Sequence, residues 1–157
     1  MPDNVCIGKK VPNFKSPSSC GDEFKLSDKK GKKIVLYFYP KDNTSGCTTE
    51  SIQFNELLSQ FKKLNTEIYG ISRDSLKSHE KFIDKYDFQF ELLSDEDESL
   101  CKLFDVIKEK NMYGKKVFGI ERSTFVIGED QKLLIEYRKV KADGHAADVL
   151  SFIKSIK

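Results

Sequence analysis

The chain has 157 residues, the length of one ordinary domain with room for a full core, and a single domain over 1–157 is the expectation. Lys and Arg number 27 against 25 Asp and Glu, interspersed to a formal charge of +2, which leaves no electrostatic footprint for nucleic acid or an anionic membrane surface. Charged residues at 33% and twelve Phe exclude a disordered chain, and no apolar run approaches the roughly 18 residues of a membrane helix.

The opening "MPDNVCIGKKVPNF" lacks a signal-peptide pattern, so a cytoplasmic protein is expected. "VPNFKSPSSCGDEFKLSDKKGKK" reads as two short strands around a turn at Ser19 to Asp22, an N-terminal β-hairpin. "IVLYFYP", residues 34–40, is a continuous apolar and aromatic run stopped by Pro40, as in a strand buried on both faces. After it, Phe54, Leu57, Leu58, Phe61 and Leu64 recur at helical steps, which puts Cys47 in or beside a helix's first turn.

"TEIYGIS" predicts a second buried strand, and "SLKSHEKFIDKY" a helix with Leu76, His79, Phe82, Ile83 and Tyr86 along one face. "FELLSD" reads as a short strand, and "EDESLCKLFDVI" as a helix with an acidic start. Residues 107–119, "IKEKNMYGKKVFG", read as a long polar connection. "STFVIGEDQKLLIEYRKV" predicts a hairpin, and "GHAADVLSFIKSI" an amphipathic helix. Strand, helix, strand, helix implies parallel pairing with right-handed crossovers. With the added hairpin this is an α/β, thioredoxin-like plan: a mixed central sheet flanked by helices.

Four cysteines, Cys6, Cys20, Cys47 and Cys101, are spaced by 14, 27 and 54 residues, so no Cys-x-x-Cys is present to hold zinc or form a dithiol. Free thiols are the expectation in a reducing compartment. Reactive groups in open α/β sheets gather at strand carboxyl ends, and Cys47 follows such an end. A helix N-terminus and a nearby guanidinium both favour the thiolate, and peptide N–H groups of 47–50 could face the sulfur. Raising the thiolate share at neutral pH from a few per cent to most of the population gains only about 30-fold. A reaction much faster than a free thiol's needs donors converging on the leaving atom, for which Thr44 and Arg122 are the candidates.

"YPKDNTSGCTTE" resembles the peroxiredoxin signature Pro-x-x-x-Thr-x-x-Cys at Pro40, Thr44 and Cys47, and "KEKNMYGKKVFGIERSTFVI" is similar to the segment carrying that family's active-site arginine. The details resemble the bacterioferritin comigratory, or Q-type, subgroup from about Val11 onward. The resemblance implies a thioredoxin-dependent thiol peroxidase acting on hydrogen peroxide and organic hydroperoxides. Cys47 would attack the O–O bond and become a sulfenic acid. Thr44 would orient the peroxide, Arg122 stabilise thiolate and leaving oxygen, Pro40 shield the pocket and Glu50 steer Arg122. It implies no metal, flavin or haem, a thioredoxin or small-molecule thiol as reductant, and a monomer.

The chain departs from the subgroup where a resolving cysteine is expected: Ile52 stands five residues after Cys47, and Ile83 occupies the site on the next helix. Three routes follow: an outside thiol, Cys101 after local unfolding, or Cys20, Cys6 or a disulfide between subunits. Cys101 also reads as a buried small hydrophobe. Cys20 is expected to be exposed, and Cys6 to sit near a frayed terminus. His79 and His145 read as surface or edge residues unrelated to a metal site. Rival readings are a thioredoxin-like disulfide oxidoreductase, which the missing dithiol opposes, and a non-catalytic thioredoxin-fold binding or chaperone module.

Overall fold

A computed structural model describes residues 5–19 and 21–156. A five-stranded sheet runs in the order β5-β4-β3-β8-β9. Its strands are β3 (Lys33–Phe38), β4 (Thr66–Ser72), β5 (Glu91–Ser94), β8 (Ser123–Ile127) and β9 (Leu133–Tyr137). β3, β4 and β5 pair in parallel, while β8 runs antiparallel to β3 and to β9. Two small antiparallel ribbons stand apart: β1 (Lys15–Pro17) with β2 (Glu23–Lys25), and β6 (Ile107–Met112) with β7 (Lys115–Ile120). The helices are α1 (Ser45–Lys63), α2 (Leu76–Tyr86), α3 (Ser99–Leu103) and α4 (His145–Ser155).

β3 is apolar from Ile34 to Phe38 because both faces of the sheet are covered. Its alternation sends Ile34, Leu36 and Phe38 into a core with Leu100, Cys101, Phe104 and Phe125. Val35, Tyr37 and Tyr39 enter the other core with Cys47, Phe54, Phe61, Phe82 and Val149. Gly70, opposite Tyr37 in register, leaves space for that ring: a Cβ there would lie 2.7 Å from Tyr37. Tyr37 in turn stacks on Phe54 of α1, with ring centroids 4.7 Å apart.

The structure differs from the sequence expectation in two elements, residues 107–119 and the helix after β5, while the start of α1 agrees with it. Residues 107–119 form a hairpin, with Tyr113 and Gly114 both at positive φ in its two-residue turn. Only its ends, Ile107 and Ile120, meet the core, and the exposed residues 115–118 between them carry no apolar alternation of the kind that marks a buried strand. The helix expected across 96–107 shortens to α3, because Asp105 adopts a left-handed conformation and Ile107 enters β6. The acidic residues 96–98 precede that helix rather than occupying its first turn. α1 begins at Ser45, which places Cys47 third in the helix.

Cys20 lies outside the described residues, whereas Cys6 is exposed. Among the described residues no helix is long and apolar enough to cross a membrane.

Candidate active site

The register of β3 with β8 builds the site. Phe38, the last residue of β3, pairs with Ser123, the first of β8. Arg122 therefore emerges at the same end of the sheet where the chain leaves β3, passes Pro40 and enters α1. Two residues 75 apart in sequence meet there: Arg122 Nη2 donates to Cys47 Sγ at 3.4 Å. On its other arm, Arg122 Nη1 donates to Glu50 Oε1 at 2.6 Å. Cys47 and Glu50 share a face of α1, three residues apart, so one guanidinium reaches both.

Cys47 is fully buried, while the Arg122 side chain keeps 16% of its surface exposed. The sulfur is thus screened from bulk water, yet its cationic partner reaches the surface. At the start of α1 the N–H groups of Ser45, Gly46 and Cys47 have no helical carbonyl to bond. Thr48 N–H is already committed to the Thr44 carbonyl at 2.9 Å, so the donor set lies earlier than the expected 47–50. No side-chain cap from Thr44 takes those groups. They present the positive end of a 19-residue helix beside the sulfur.

Burial opposes charge on Arg122, but the adjoining Glu50 and Cys47 outweigh it and push its pKa up. Glu50 is fully buried, with Oε2 lacking a hydrogen-bond partner. Burial raises its pKa to about 7 despite the opposing pull of Arg122. The two shifts favour different partners of one ion pair, because Arg122 answers to two acidic neighbours and Glu50 to a single cation. Arg122 remains the fixed charge; Glu50 is the member that changes protonation near neutrality.

Thr44 stands exposed immediately before α1, and its hydroxyl donates to the Lys41 carbonyl at 3.0 Å. With its proton so committed, the oxygen retains acceptor capacity for a ligand O–H. Pro40 is half-buried where the chain leaves β3. The structure thus joins Cys47, Glu50 and Arg122 by direct hydrogen bonds, with Thr44 and Pro40 on the loop leading into them. A surface cavity of about 460 Å³, lined by Lys29, Lys32, Lys62 and Glu67 among others, lies instead at the amino ends of β3 and β4. Two peroxide oxygens do not require a recess of that size.

Both histidines are buried, contrary to the surface or edge placement expected of them. His79 Nδ1 lies 2.7 Å from Asp42 Oδ2, and its Nε2 2.9 Å from the Leu93 carbonyl. Asp42 also accepts from Tyr39 and Ser78, and its N–H donates to Asp74. Asp42, Asp74 and His79 lie as close together as a metal's ligands would, but their facing atoms are occupied by these hydrogen bonds. The network pins the loop between Pro40 and Thr44 to α2 and β4. Its sequence signal is faint, since Asp42 in "PKDNT" reads as an ordinary turn residue. His145 packs edge-on against Phe54 and Tyr137, with Nε2 2.7 Å from the Thr124 hydroxyl. Burial lowers its pKa to about 4.

Residues 7–135 match the AhpC/TSA family. The chain belongs to that family. It is 53% identical over 137 residues to peroxiredoxin Bcp of Xanthomonas campestris, covering 87% of this chain and 86% of the relative. With peroxiredoxin Bcp of Bacillus subtilis it shares 46% identity over 150 residues, 96% of each chain. The solved structure of a cysteine-to-serine variant of peroxiredoxin Q from Xylella fastidiosa superposes with a TM-score of 0.93 at 47% identity, covering 98% of both chains. The fold is therefore the thioredoxin-like fold of these peroxiredoxins, and this AhpC/TSA-family chain is a thiol-dependent peroxidase.

Proposed function

We propose that Cys47 is the peroxidatic residue, acting on hydrogen peroxide and small organic hydroperoxides. The observation that carries this reading is the contact between Arg122 Nη2 and Cys47 Sγ in the first turn of α1. A thiolate held there by the helix terminus and the guanidinium attacks the terminal oxygen of R–O–OH. The S–O bond forms as the O–O bond breaks, giving Cys47 sulfenic acid and an alkoxide, which takes a proton to leave as alcohol. Arg122, already beside the sulfur, stabilises charge moving onto the leaving oxygen. Thr44 accepts a hydrogen bond from the incoming peroxide, Glu50 holds the guanidinium in plane, and Pro40 limits water at the mouth.

An outside thiol closes the cycle: it attacks the sulfenic sulfur, releases water and leaves a mixed disulfide. A second thiol restores Cys47 and departs in a disulfide with the first. Ile52 and Ile83 stand where resolving thiols would serve, and Cys101 packs on the opposite face of the sheet from Cys47. Bridging that pair would require the intervening sheet to open, since disulfide geometry needs Cα atoms within about 7 Å. Thioredoxin or a small-molecule thiol fits the role, in a reducing cytoplasm and with the chain as a monomer. Substrate range is supported by the solved Xanthomonas campestris bacterioferritin comigratory protein, described for alkyl peroxide reduction, at 50% identity and a TM-score of 0.88 over 91% of each chain.

The test is to oxidise the protein with one equivalent of peroxide and map its cysteines by mass spectrometry. Sulfenic acid on Cys47, converted to a mixed disulfide by added thiol, is expected. A disulfide between Cys47 and Cys101 would exclude the outside-thiol cycle, and an unmodified Cys47 would exclude the site itself.

A further inference from the structure

The approach of Arg122 to Cys47 depends on something missing between them. Gly46 is the second residue of α1, a helical position where glycine is normally a poor choice. Its φ lies outside the left-handed region, so the backbone there admits any L residue. The obstacle is Arg122. A Cβ built on Gly46 would sit 3.0 Å from Arg122 Nη2, 3.8 Å from Cζ and 4.0 Å from the Ala142 Cβ. Nη2 is the same atom that donates to Cys47 Sγ.

We propose that Gly46 is a positioning residue for peroxide reduction: its bare Cα is the gap through which the guanidinium lies against the first turn of α1 and reaches the Cys47 sulfur. This rests on the reading of Cys47 and Arg122 given above. The guanidinium is clamped at Nη1 by the 2.6 Å bond to Glu50, so a methyl group at 46 presses on the arm that serves the sulfur while the other arm is held. A displacement of a few tenths of an ångström relieves the contact. Because the obstructing atoms end a flexible side chain, the helix accommodates the substitution and the arginine moves. Backbone and helix propensity both favour alanine at 46, so selection for stability alone would not place glycine there.

The experiment is a double-mutant cycle between Gly46→Ala and Arg122→Ala, reading the second-order rate of Cys47 oxidation by peroxide, the pH midpoint of thiolate absorbance and the melting temperature. Gly46→Ala is expected to slow oxidation about 10-fold, since a displaced donor loses part of what a deleted one does. The thiolate midpoint should move up, and the melting temperature should hold or rise. In the Arg122→Ala background the same substitution should change the rate less than about 2-fold. Ser59→Ala, an exposed change further along α1, should leave the rate unaltered and so controls for any general effect on the helix. Equal losses in both arginine backgrounds, no loss in either, or a fall in melting temperature alongside the rate would overturn the proposal. The reading of the site fails separately, if Arg122→Ala alone leaves Cys47 oxidation unchanged.

Discussion

Cys47 and Cys101 are the same residue in nearly the same local setting, and their surroundings give them opposite chemistry. Each is the third residue of a helix that follows a strand of the central sheet, and each is fully buried. Around Cys47 the first-turn N–H groups are left without a side-chain cap, and a guanidinium donates to the sulfur. Around Cys101 the corresponding groups are consumed by Asp95, whose two carboxylate oxygens accept from Leu100 N–H at 3.0 Å and Cys101 N–H at 2.8 Å. Burial and then the Asp95 carboxylate push the Cys101 thiol far above its ordinary pKa. A helix N-terminus activates a thiol only when its dipole is not already spent on a carboxylate.

The sharpest way to break this contrast is to remove each sulfur in turn. Cys47→Ser should abolish thiol-dependent peroxide consumption, while Cys101→Ser should leave it within about 2-fold, because only the thiolate attacks. Substantial loss in Cys101→Ser, with the fold intact by circular dichroism, would make the two sulfurs partners rather than opposites.

Next in size is the cation. Arg122→Ala should slow Cys47 oxidation by about 10² to 10³-fold, the range seen when one converging donor is deleted. Stopped-flow rates compared at matched thiolate fraction separate transition-state stabilisation from titration. If the two proteins then react equally fast, Arg122 acts only through the thiolate population.

Glu50 offers a pH-dependent test. Its pKa rises from 4.5 in the unfolded chain to about 7 in the fold, so the folded state holds the proton more tightly. Its share of stability is present below about pH 4.5 and is lost as pH climbs through about 7, a change on the order of 3 kcal/mol. Urea denaturation of Glu50→Gln should lack that decline relative to the parent between pH 4.5 and 7.5. Parallel curves would place the buried carboxylate's proton elsewhere.

The smallest effect concerns the other cysteine's environment. Asp95→Ala removes the acceptor of two helix-start N–H groups and should cost about 1 to 2 kcal/mol in chemical denaturation. Cys101 should nonetheless stay unreactive towards thiol reagents in the native state, since burial is the larger cause of its raised pKa.

Much of this protein is legible in local pattern. β3, α1, β4 and α2 announce themselves through continuous apolar runs and helical spacing, because each must cover or enter a core. The β6–β7 hairpin meets the core only at its ends, Ile107 and Ile120, and its Tyr-Gly turn lacks the asparagine or aspartate that usually marks such turns, so in sequence it passes for a connection. His79 looks like one more polar residue on an amphipathic helix. The loop folding back with Asp42, together with the Leu93 carbonyl, makes its burial tolerable.

That a thiol follows a strand end and opens a helix is written in the chain order, because the apolar runs, the break at Pro40 and the helical spacing after it are all local signals. Which thiol faces a cation and which a carboxylate is settled in three dimensions. That outcome depends on the antiparallel register of β3 with β8, which carries Arg122 to Cys47, and on the face of the sheet each helix covers. Electrostatic partners act over a few ångströms of space, and chain order alone does not specify those distances.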